Sequence, residues 1–276
     1  MRIALCNELL QPMPFAKQCE YAAALGYDGL EVAPYTLSAE PHRMTAEARA
    51  AARRAASDAG IEIVGLHWLL TAPKGLSITT PDDKIRGWTV DVMKGLIELS
   101  ADLGGNYLIH GSHREIAPGE TREIAMNRAH DCFSNIAETA QACGQTYCIE
   151  PLATDSTLVI NTISEAVAIV DSIGNPAVIT MFDCNHAAKM ENGPLSDVLD
   201  HWLPTGKIGH IHINDRTRGG PGQGNERFAP IFAALFRNGY SRDISIEPTV
   251  YVPDGIGAAA RAIGYVRGVL ETFDQA

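Results

Sequence analysis

Four ionisable residues in the second half of the chain each close a short apolar stretch. They are Glu150 in TYCIEP, Asp183 in VITMFDCNH, His212 in IGHIHIND and Glu247 in ISIEP. Successive members lie 33, 29 and 35 residues apart, so each interval has the length of one strand–helix unit. On four consecutive parallel strands these groups would point into one basin. Three carboxylates and one imidazole in one basin repel or compete unless a divalent cation neutralises them.

A metal site explains this set better than four separate structural roles do. Each acidic residue taken alone is expected to cap the helix that follows it or to pair with an arginine. The four together predict a divalent-cation site, because a buried charge is costly unless it is paired or bound to a metal. Oxygen ligands with one imidazole suit Mn²⁺, with Mg²⁺ or Co²⁺ as alternatives, rather than a metal that seeks thiolates.

Two further candidates follow these residues closely in the chain. His186 comes three residues after Asp183, in a predicted loop, and Arg218 comes six residues after His212, within HINDRTRGGPGQG. The glycine and proline content of that stretch predicts a second loop. An arginine there can bind a substrate hydroxyl or carboxylate through its planar fork. Arg216 is the rival candidate, and a solvated surface arginine is the alternative.

Three more histidines lie at or near strand ends. His210 alternates with His212, so both point into the barrel; His210 either supports the metal ligand from one layer below or is a core histidine. His67 opens the segment 67–70, which predicts an apolar pocket wall. His110 is expected to line the pocket rather than to bind metal.

Short apolar stretches of this kind recur along the whole chain. They are rich in β-branched residues and nearly continuous in hydrophobicity, which is typical of parallel strands buried on both faces. We predict strands at 3–6, 29–33, 63–67, 107–110, 147–150, 179–183, 209–213 and 244–247. Helical patterns lie at 14–25, 45–59, 82–103, 121–143, 164–173, 194–202, 229–237 and 255–272, and several end at a glycine suited to a left-handed cap.

Eight strand–helix units predict a closed (β/α)8 TIM barrel, an α/β fold. The 276 residues divide into units of about 34 residues, the size of one strand with its helix. An open doubly wound sheet is the alternative, but no G-x-G-x-x-G follows the first strand. We expect one barrel domain over 1–276, with reactive groups at the C-terminal ends of its strands.

Composition argues against several classes of protein. The chain is 46% hydrophobic with a net charge of −11, so it can bury a core and is not disordered. A pI of about 5.2 without a basic cluster argues against binding to nucleic acid. We expect no membrane helix, since no apolar run of about 20 residues occurs, and no signal peptide. Six cysteines without zinc-site spacing favour free thiols in the cytoplasm.

Five motifs resemble one known family in their order and spacing. They are GLEVAPY, CIEPL, FDCNH, GHIHINDRTRGGPGQG and SIEP. The chain resembles the sugar isomerase/epimerase superfamily of xylose isomerase-like TIM barrels, and it is nearest in motif to the ketose 3-epimerases of the tagatose and psicose type. The resemblance covers nearly the whole chain. It implies a (β/α)8 barrel, a divalent metal (Mn²⁺, Co²⁺ or Mg²⁺), a small carbohydrate substrate and a homo-oligomer, either a dimer or a tetramer.

The resemblance also implies residue roles. It assigns the metal ligands as Glu150, Asp183, His212 and Glu247. The first and the last of these would also be the two acid/base groups. His186 matches a histidine that holds substrate oxygens near the metal, and Arg218 matches the arginine that precedes the P-G-x-G loop.

One position departs from the epimerase pattern. The epimerases follow E-P-L with N-R-Y-E, whose Glu contacts the sugar near the metal. Here Ser156 stands at that position, with Asp155 beside it. We therefore expect a substrate other than a simple hexose.

The predicted reaction starts by removing a proton next to a substrate carbonyl, which gives a cis-enediolate. Returning a proton to the same carbon from the opposite face makes an epimerase, and returning it to the neighbouring carbon makes an isomerase. Loss of a β-hydroxyl would instead make a dehydratase (a lyase) of a keto sugar or keto-cyclitol. A non-catalytic sugar-binding barrel is a further alternative. A metallonuclease would need more ligands and a basic face.

Overall fold

Eight parallel strands form a closed barrel in the order of the chain. The structure is a computed structural model that describes residues 1–273. The strands are β1 (Ile3–Cys6), β2 (Gly29–Val32), β3 (Glu62–Leu66), β4 (Tyr107–His110), β5 (Thr146–Ile149), β6 (Val178–Asp183), β7 (Ile208–Ile213) and β8 (Ile244–Ile246). Strand β8 pairs with β1, which closes the sheet. The predicted TIM barrel is confirmed, and the alternative of an open sheet is wrong.

The helices cover the outside of this barrel. They are α1 (Phe15–Leu25), α2 (Ala46–Asp58), α3 (Asp83–Leu103), α4 (Arg122–Ala142), α5 (Ile163–Ile173), α6 (Cys184–Met190), α7 (Leu195–Trp202), α8 (Phe228–Arg237) and α9 (Gly255–Leu270). Four short 3₁₀ turns lie at Glu8–Leu10, Pro34–Thr36, Pro41–Arg43 and Leu203–Thr205. Within residues 1–273, no helix is both long and apolar enough to cross a membrane.

Helix α6 corrects one expectation from the sequence. His186 was expected in a loop, but it lies in this short helix, which starts directly after β6. The Asp183 side chain accepts a hydrogen bond of 2.8 Å from the His186 backbone N–H and so caps the helix. One aspartate therefore ends a strand, starts a helix and still presents a second oxygen to the barrel mouth.

Four predicted strands end one residue earlier than expected; one of them is β2, which ends at Val32 rather than at residue 33. His67, Glu150 and Glu247 lie just beyond the strand ends. Their backbone N–H groups nevertheless still bond to the neighbouring strand, as in Glu150 N–H to the His110 carbonyl at 3.0 Å. The side chains are thus fixed by strand-like hydrogen bonds at the barrel mouth, while the backbone is free to turn into the following loop.

Apolar packing fills the barrel below the site. An inner cluster comprises Ala4, Val64, Tyr107, Ile109, Cys148 and Met181. The Tyr107 ring reaches this position because β3 offers Gly65 opposite it; a Cβ at Gly65 would lie 2.4 Å from that ring. A larger cluster lies between the strands and the helices. The interior is therefore a packed core, and polar chemistry is confined to its upper layers.

Candidate active site

Four ionisable side chains meet at the C-terminal end of the barrel. We call Glu150, Asp183, His212 and Glu247 the tetrad. His212 Nδ1 lies 3.1 Å from Glu247 Oε2 and 3.9 Å from both Glu150 Oε1 and Asp183 Oδ2. One potential ligand atom of each residue lies within 4.8 Å of the other three. The structure therefore brings together all four residues that the sequence analysis selected.

The tetrad has the donor set of a divalent-cation site. Nδ1 of His212 is buried and has no hydrogen-bond partner, although three carboxylates surround it. An orphaned buried nitrogen is costly, and a ligand that accepts its lone pair removes that cost. Three carboxylates and one imidazole match the preferences of oxygen-seeking divalent metals. These residues thus fit a bound divalent cation.

The two glutamates of the tetrad differ in their environments. Burial, followed by the negative charge of Glu247, raises the pKa of Glu150 well above its usual range. Burial would also raise the pKa of Glu247, but the adjacent His212 outweighs it, so that pKa falls below its ordinary value. Glu150 therefore holds a proton more tightly than Glu247 does. Two carboxyl groups with opposite shifts are typical of an acid and base pair.

A fifth buried carboxylate orients the histidine of the tetrad. Glu31, which belongs to β2, accepts from His212 Nε2 at 2.8 Å through Oε1. Its Oε2 lies 2.9 Å from His210 Nε2 and accepts from the Ser245 hydroxyl. Burial opposes ionisation of Glu31, but the two histidines prevail and hold its pKa well below the usual range. By binding Nε2–H, Glu31 leaves the lone pair on Nδ1 directed at the carboxylates.

His210 lies one layer below the tetrad, as the alternation along β7 predicts. Its ring stacks on Tyr107 with centroids 4.1 Å apart. Its contact with Glu31 connects it to the tetrad through one intermediate side chain. Glu31 is the second-last residue of β2, in the motif GLEVAPY, so a search for polar residues near strand ends could have included it.

Asn214 positions the aspartate of the tetrad. Its side-chain amide donates to Asp183 Oδ2 at 2.7 Å and to the Glu247 backbone carbonyl at 3.1 Å. Its amide oxygen accepts from the Asn185 backbone N–H at 2.8 Å. Asn214 thus joins β6, β7 and β8 just above the barrel. No local sequence signal distinguishes it, because these partners are distant along the chain.

Gly111 and Arg114 position Glu150. A Cβ at Gly111 would lie 2.0 Å from Glu150 Oε2, so only glycine leaves room for this carboxylate. The Arg114 guanidinium is fully buried and donates to the backbone carbonyls of His110, Glu150, Val159 and Ile160. Burial lowers the pKa of Arg114 to about 10. One buried cation therefore connects the loop after β4 to the loop after β5, and no local sequence pattern marks it.

A cavity of about 260 Å³ opens above the tetrad. Glu150 and Glu247 lie in its wall, together with His67, His186 and Arg218. His67 Nε2 lies 2.7 Å from Glu8 Oε2. The structure thus places three of the predicted substrate-binding residues at this cavity.

The contacts of His186 and Arg218 leave one face of each side chain toward the cavity. His186 Nδ1 accepts from the Ala153 backbone N–H at 3.0 Å, which leaves its Nε2 without a hydrogen-bond partner among the residues that the structure describes. The Arg218 guanidinium lies 3.3 Å from Asp155 Oδ1 and from Ser156 Oγ. Arg216 instead pairs with Glu226 and does not line this cavity. Of the two rival arginines, the structure therefore favours Arg218.

His110 is not brought to the cavity, contrary to the expectation from sequence. It is fully buried, with Nδ1 2.6 Å from the Tyr147 hydroxyl and Nε2 3.2 Å from the Ser112 carbonyl. Its ring also packs edge-on against Phe133. Both nitrogens are satisfied within the protein, because His110 belongs to β4 and points to the helix-covered side. We therefore do not retain it as a substrate ligand.

The chain belongs to the xylose isomerase-like TIM barrel family, whose profile matches residues 19–268. Relatives and solved structures of similar proteins carry epimerase names. L-ribulose 3-epimerase of Mesorhizobium japonicum is 29% identical over 187 residues, which is 67% of this chain and 62% of that protein. D-psicose 3-epimerase of Ruminiclostridium cellulolyticum is 26% identical over 241 residues, 87% of this chain and 80% of that protein.

A solved structure shares the fold over nearly the full length. The crystal structure of 3-keto-D-glucoside 4-epimerase from E. coli superposes with a TM-score of 0.84, covering 97% of this chain and 99% of that one at 18% identity. This similarity shows the common barrel architecture.

Proposed function

We propose that the protein is a divalent-metal-dependent epimerase of a keto sugar, with Glu150 and Glu247 as its acid/base groups. The observation that carries this proposal is the tetrad, whose ligand atoms converge around the unpartnered His212 Nδ1 beneath an open cavity. The names of the curated relatives support epimerisation over the alternatives of dehydration and sugar binding.

The tetrad would hold Mn²⁺, with Mg²⁺ or Co²⁺ as substitutes. This assignment rests on the donor set of three carboxylates and one imidazole. A divalent cation in such a site polarises the substrate carbonyl and makes the neighbouring C–H more acidic. Glu31 and Asn214 would keep His212 and Asp183 in orientation for it.

The two glutamates would divide the proton transfers. Glu247, with its lowered pKa, carries the charge that removes a proton from the carbon beside the carbonyl. Glu150, the second glutamate, would return a proton to the opposite face of the same carbon. One proton is taken and one is given, so the carbon is inverted with no change in oxidation state. His186 and Arg218 would hold the substrate hydroxyls in the cavity.

Hydrogen–deuterium exchange tests this reaction directly. The Mn²⁺-loaded protein is incubated in D₂O with D-psicose, L-ribulose or methyl 3-keto-β-D-glucopyranoside, and the sugars are analysed by mass spectrometry and NMR after removal of protein and metal. We expect deuterium at the carbon beside the carbonyl together with the epimeric product. Glu247→Gln should lose most of this activity, at least about 10²-fold.

Glu138→Gln is the matched control, because Glu138 is an exposed glutamate on α4. It should exchange at the wild-type rate. If Glu247→Gln works within about twofold of wild type, the two-glutamate scheme is wrong. A product with an enone or diketone absorbance, instead of an epimer, would identify a dehydratase.

We also propose that the enzyme acts in the cytoplasm and forms a dimer or tetramer. The six cysteines are all free thiols, which supports a reducing compartment. Size-exclusion chromatography coupled to light scattering measures the assembly state.

A further inference from the structure

Three strained backbone positions meet at the cavity above the tetrad. Among residues 1–273, the non-glycine residues with positive φ are Trp68 at 51°, His113 at 60°, Ile160 at 59° and Arg218 at 66°. All but Ile160 line the cavity. They come from three different loops, those after β3, β4 and β7. Left-handed backbone is costly for residues with a Cβ, and it concentrates where a side chain must be held in one place for a ligand.

Trp68 presents a flat apolar surface at the cavity. Its side chain is 40% exposed, whereas the next two residues, Leu69 and Leu70, are buried in the core. The buried leucines anchor the loop, and the turn at Trp68 directs the indole toward the cavity instead of the interior. An indole held partly in solvent beside a catalytic cavity is available for contact with a ligand.

His113, in the loop after β4, lines the same cavity as Trp68. Its Nδ1 is buried and has no hydrogen-bond partner. Its backbone carbonyl accepts from the Ile78 N–H at 3.1 Å, and the Thr79 hydroxyl donates to the Glu115 carbonyl at 2.6 Å. The loops after β3 and β4 are thereby joined into one surface. Burial lowers the pKa of His113, so the ring is neutral and can both donate to and accept from hydroxyl groups.

The charges around the cavity favour an uncharged ligand. Among the described residues that line it, the arginines are Arg114 and Arg218. The Arg114 guanidinium already donates hydrogen bonds to four backbone carbonyls, and Arg218 forms an ion pair with Asp155. Glu115 adds a carboxylate to those of the tetrad. A phosphate or carboxylate on the substrate would have to compete with Asp155 for Arg218.

We propose that Trp68 and His113 form a subsite for the part of the substrate remote from the tetrad, and that this substrate is an unphosphorylated keto sugar in its closed pyranose form. This assignment rests on the proposed epimerase function and adds the substrate class. A pyranose ring offers a rigid face of C–H groups that matches the flat indole, whereas an open chain would lose more rotational freedom on binding. Proton removal beside a ring carbonyl leaves the ring closed throughout.

Kinetics on a ring-locked and an unlocked sugar test the subsite. Methyl 3-keto-β-D-glucopyranoside cannot open, whereas D-psicose can. For the locked sugar, Trp68→Ala should raise KM about tenfold with kcat within about twofold, and Trp68→Phe should recover most of the loss. For D-psicose the change in KM should stay below about threefold. His113→Asn should raise KM for the locked sugar too, because asparagine tolerates the left-handed backbone but has a shorter reach.

Trp88 supplies the matched control. It is 38% exposed, close to the value for Trp68, but it lies on α3 and does not line the cavity. Trp88→Ala should leave both constants unchanged. With Mg²⁺ in the site to avoid paramagnetic quenching, saturating locked sugar should change the tryptophan fluorescence of wild type and of Trp88→Phe, but not that of Trp68→Phe.

The outcomes separate the subsite from the proposed reaction. Exchange without any Trp68-dependent fluorescence change or KM effect overturns the subsite and leaves the epimerase function standing. An equal KM effect on both sugars overturns the ring-form assignment. A Trp68-dependent fluorescence change without exchange on either sugar supports the subsite and overturns the function. Tighter binding of a phosphorylated sugar than of its unphosphorylated form contradicts the uncharged class.

Discussion

At the scale of single residues, the ionisable side chains of the tetrad are oriented by other buried polar and charged side chains. His212 offers one nitrogen to the tetrad because Glu31 takes the other at 2.8 Å. Glu31 is itself fully buried and is balanced by the histidines at positions 210 and 212. A buried carboxylate with several partners is rigid, and rigid partners keep a metal ligand in its working orientation.

Glu31→Gln should therefore weaken metal binding without touching a ligand of the tetrad. We expect the dissociation constant for Mn²⁺, measured by isothermal titration calorimetry, to rise about 10–100-fold. Ser245→Ala removes one hydrogen bond to Glu31 but keeps its carboxylate, so it should have a smaller effect. A Glu31→Gln protein that binds Mn²⁺ as tightly as wild type would show that Glu31 has only a packing role.

The burial of His110 should make the stability of the folded protein depend on pH. Burial, with Arg114 and His113 nearby, lowers the pKa of His110 to about 3. The unfolded chain takes up a proton at this residue near pH 6.5, whereas the folded protein does not. The stability contributed by the neutral ring is therefore complete at pH 7 and falls as the pH drops from about 6.5 toward 3, by up to about 1.4 kcal/mol per unit.

Urea unfolding between pH 7 and pH 4.5, with a chelator present, measures this dependence. His110→Gln should lower the overall stability but make the free energy of unfolding less dependent on pH. His201→Gln, at an exposed histidine on α7, should leave the slope at the wild-type value. Parallel pH profiles for wild type and His110→Gln would contradict the assignment of this slope to His110.

At the scale of elements, the strands place the ligands and the loops orient them. The sequence alone predicted the positions of all eight strands, because short runs buried on both faces are a local pattern. It missed helix α6 and placed four strand ends one residue too late. Those details depend on where a side chain such as Asp183 finds a backbone partner, which hydrophobicity does not encode.

Substitution of Arg114 tests whether its guanidinium holds the loops after β4 and β5 together. Arg114→Met would leave the buried carbonyls of Glu150 and Val159 without a donor, whereas those of His110 and Ile160 keep a backbone N–H. We expect a loss of about 2 kcal/mol or more in the free energy of unfolding by urea, together with weaker Mn²⁺ binding, since each buried unpaired group costs about 1–3 kcal/mol. Arg114→Lys should recover part of this, because it keeps the charge but not the fork.

Arg122→Lys is the control for a general effect of replacing an arginine. Arg122 also contacts the 150–165 region, through the Leu158 carbonyl and Glu165, but it is exposed. It should change stability by less than about 1 kcal/mol. An Arg114→Met protein that is as stable as this control would rule out a structural role for the buried guanidinium.

At the scale of the whole molecule, the barrel holds its least favourable group of charges at one end. The tetrad carboxylates are buried together, so we expect a bound cation to stabilise the folded protein. A metal that binds the folded state and not the unfolded one stabilises it by about 2.7 kcal/mol at a hundredfold excess over the dissociation constant.

Saturating Mn²⁺ should therefore raise the melting temperature of the chelator-treated protein by about 5–10 °C. Differential scanning calorimetry at fixed protein concentration measures the shift. The double variant Asp183→Asn/Glu247→Gln should lose it, because half of the ligands no longer carry charge. An equal shift in the double variant would mean that the metal binds outside the tetrad.

The sequence by itself determined the barrel and the four residues of the tetrad, since strand pattern, spacing and strand-end residue type are all local properties. Only the tertiary structure decided which neighbours control them. The contact between Glu31 and His212 spans 181 residues of chain and exists because the barrel closes. The burial of His110, the fork of Arg114 and the meeting of Trp68 with His113 at one cavity likewise depend on loop conformations and on packing between distant segments. Such contacts follow from the relative placement of strands in space, which no single stretch of sequence records.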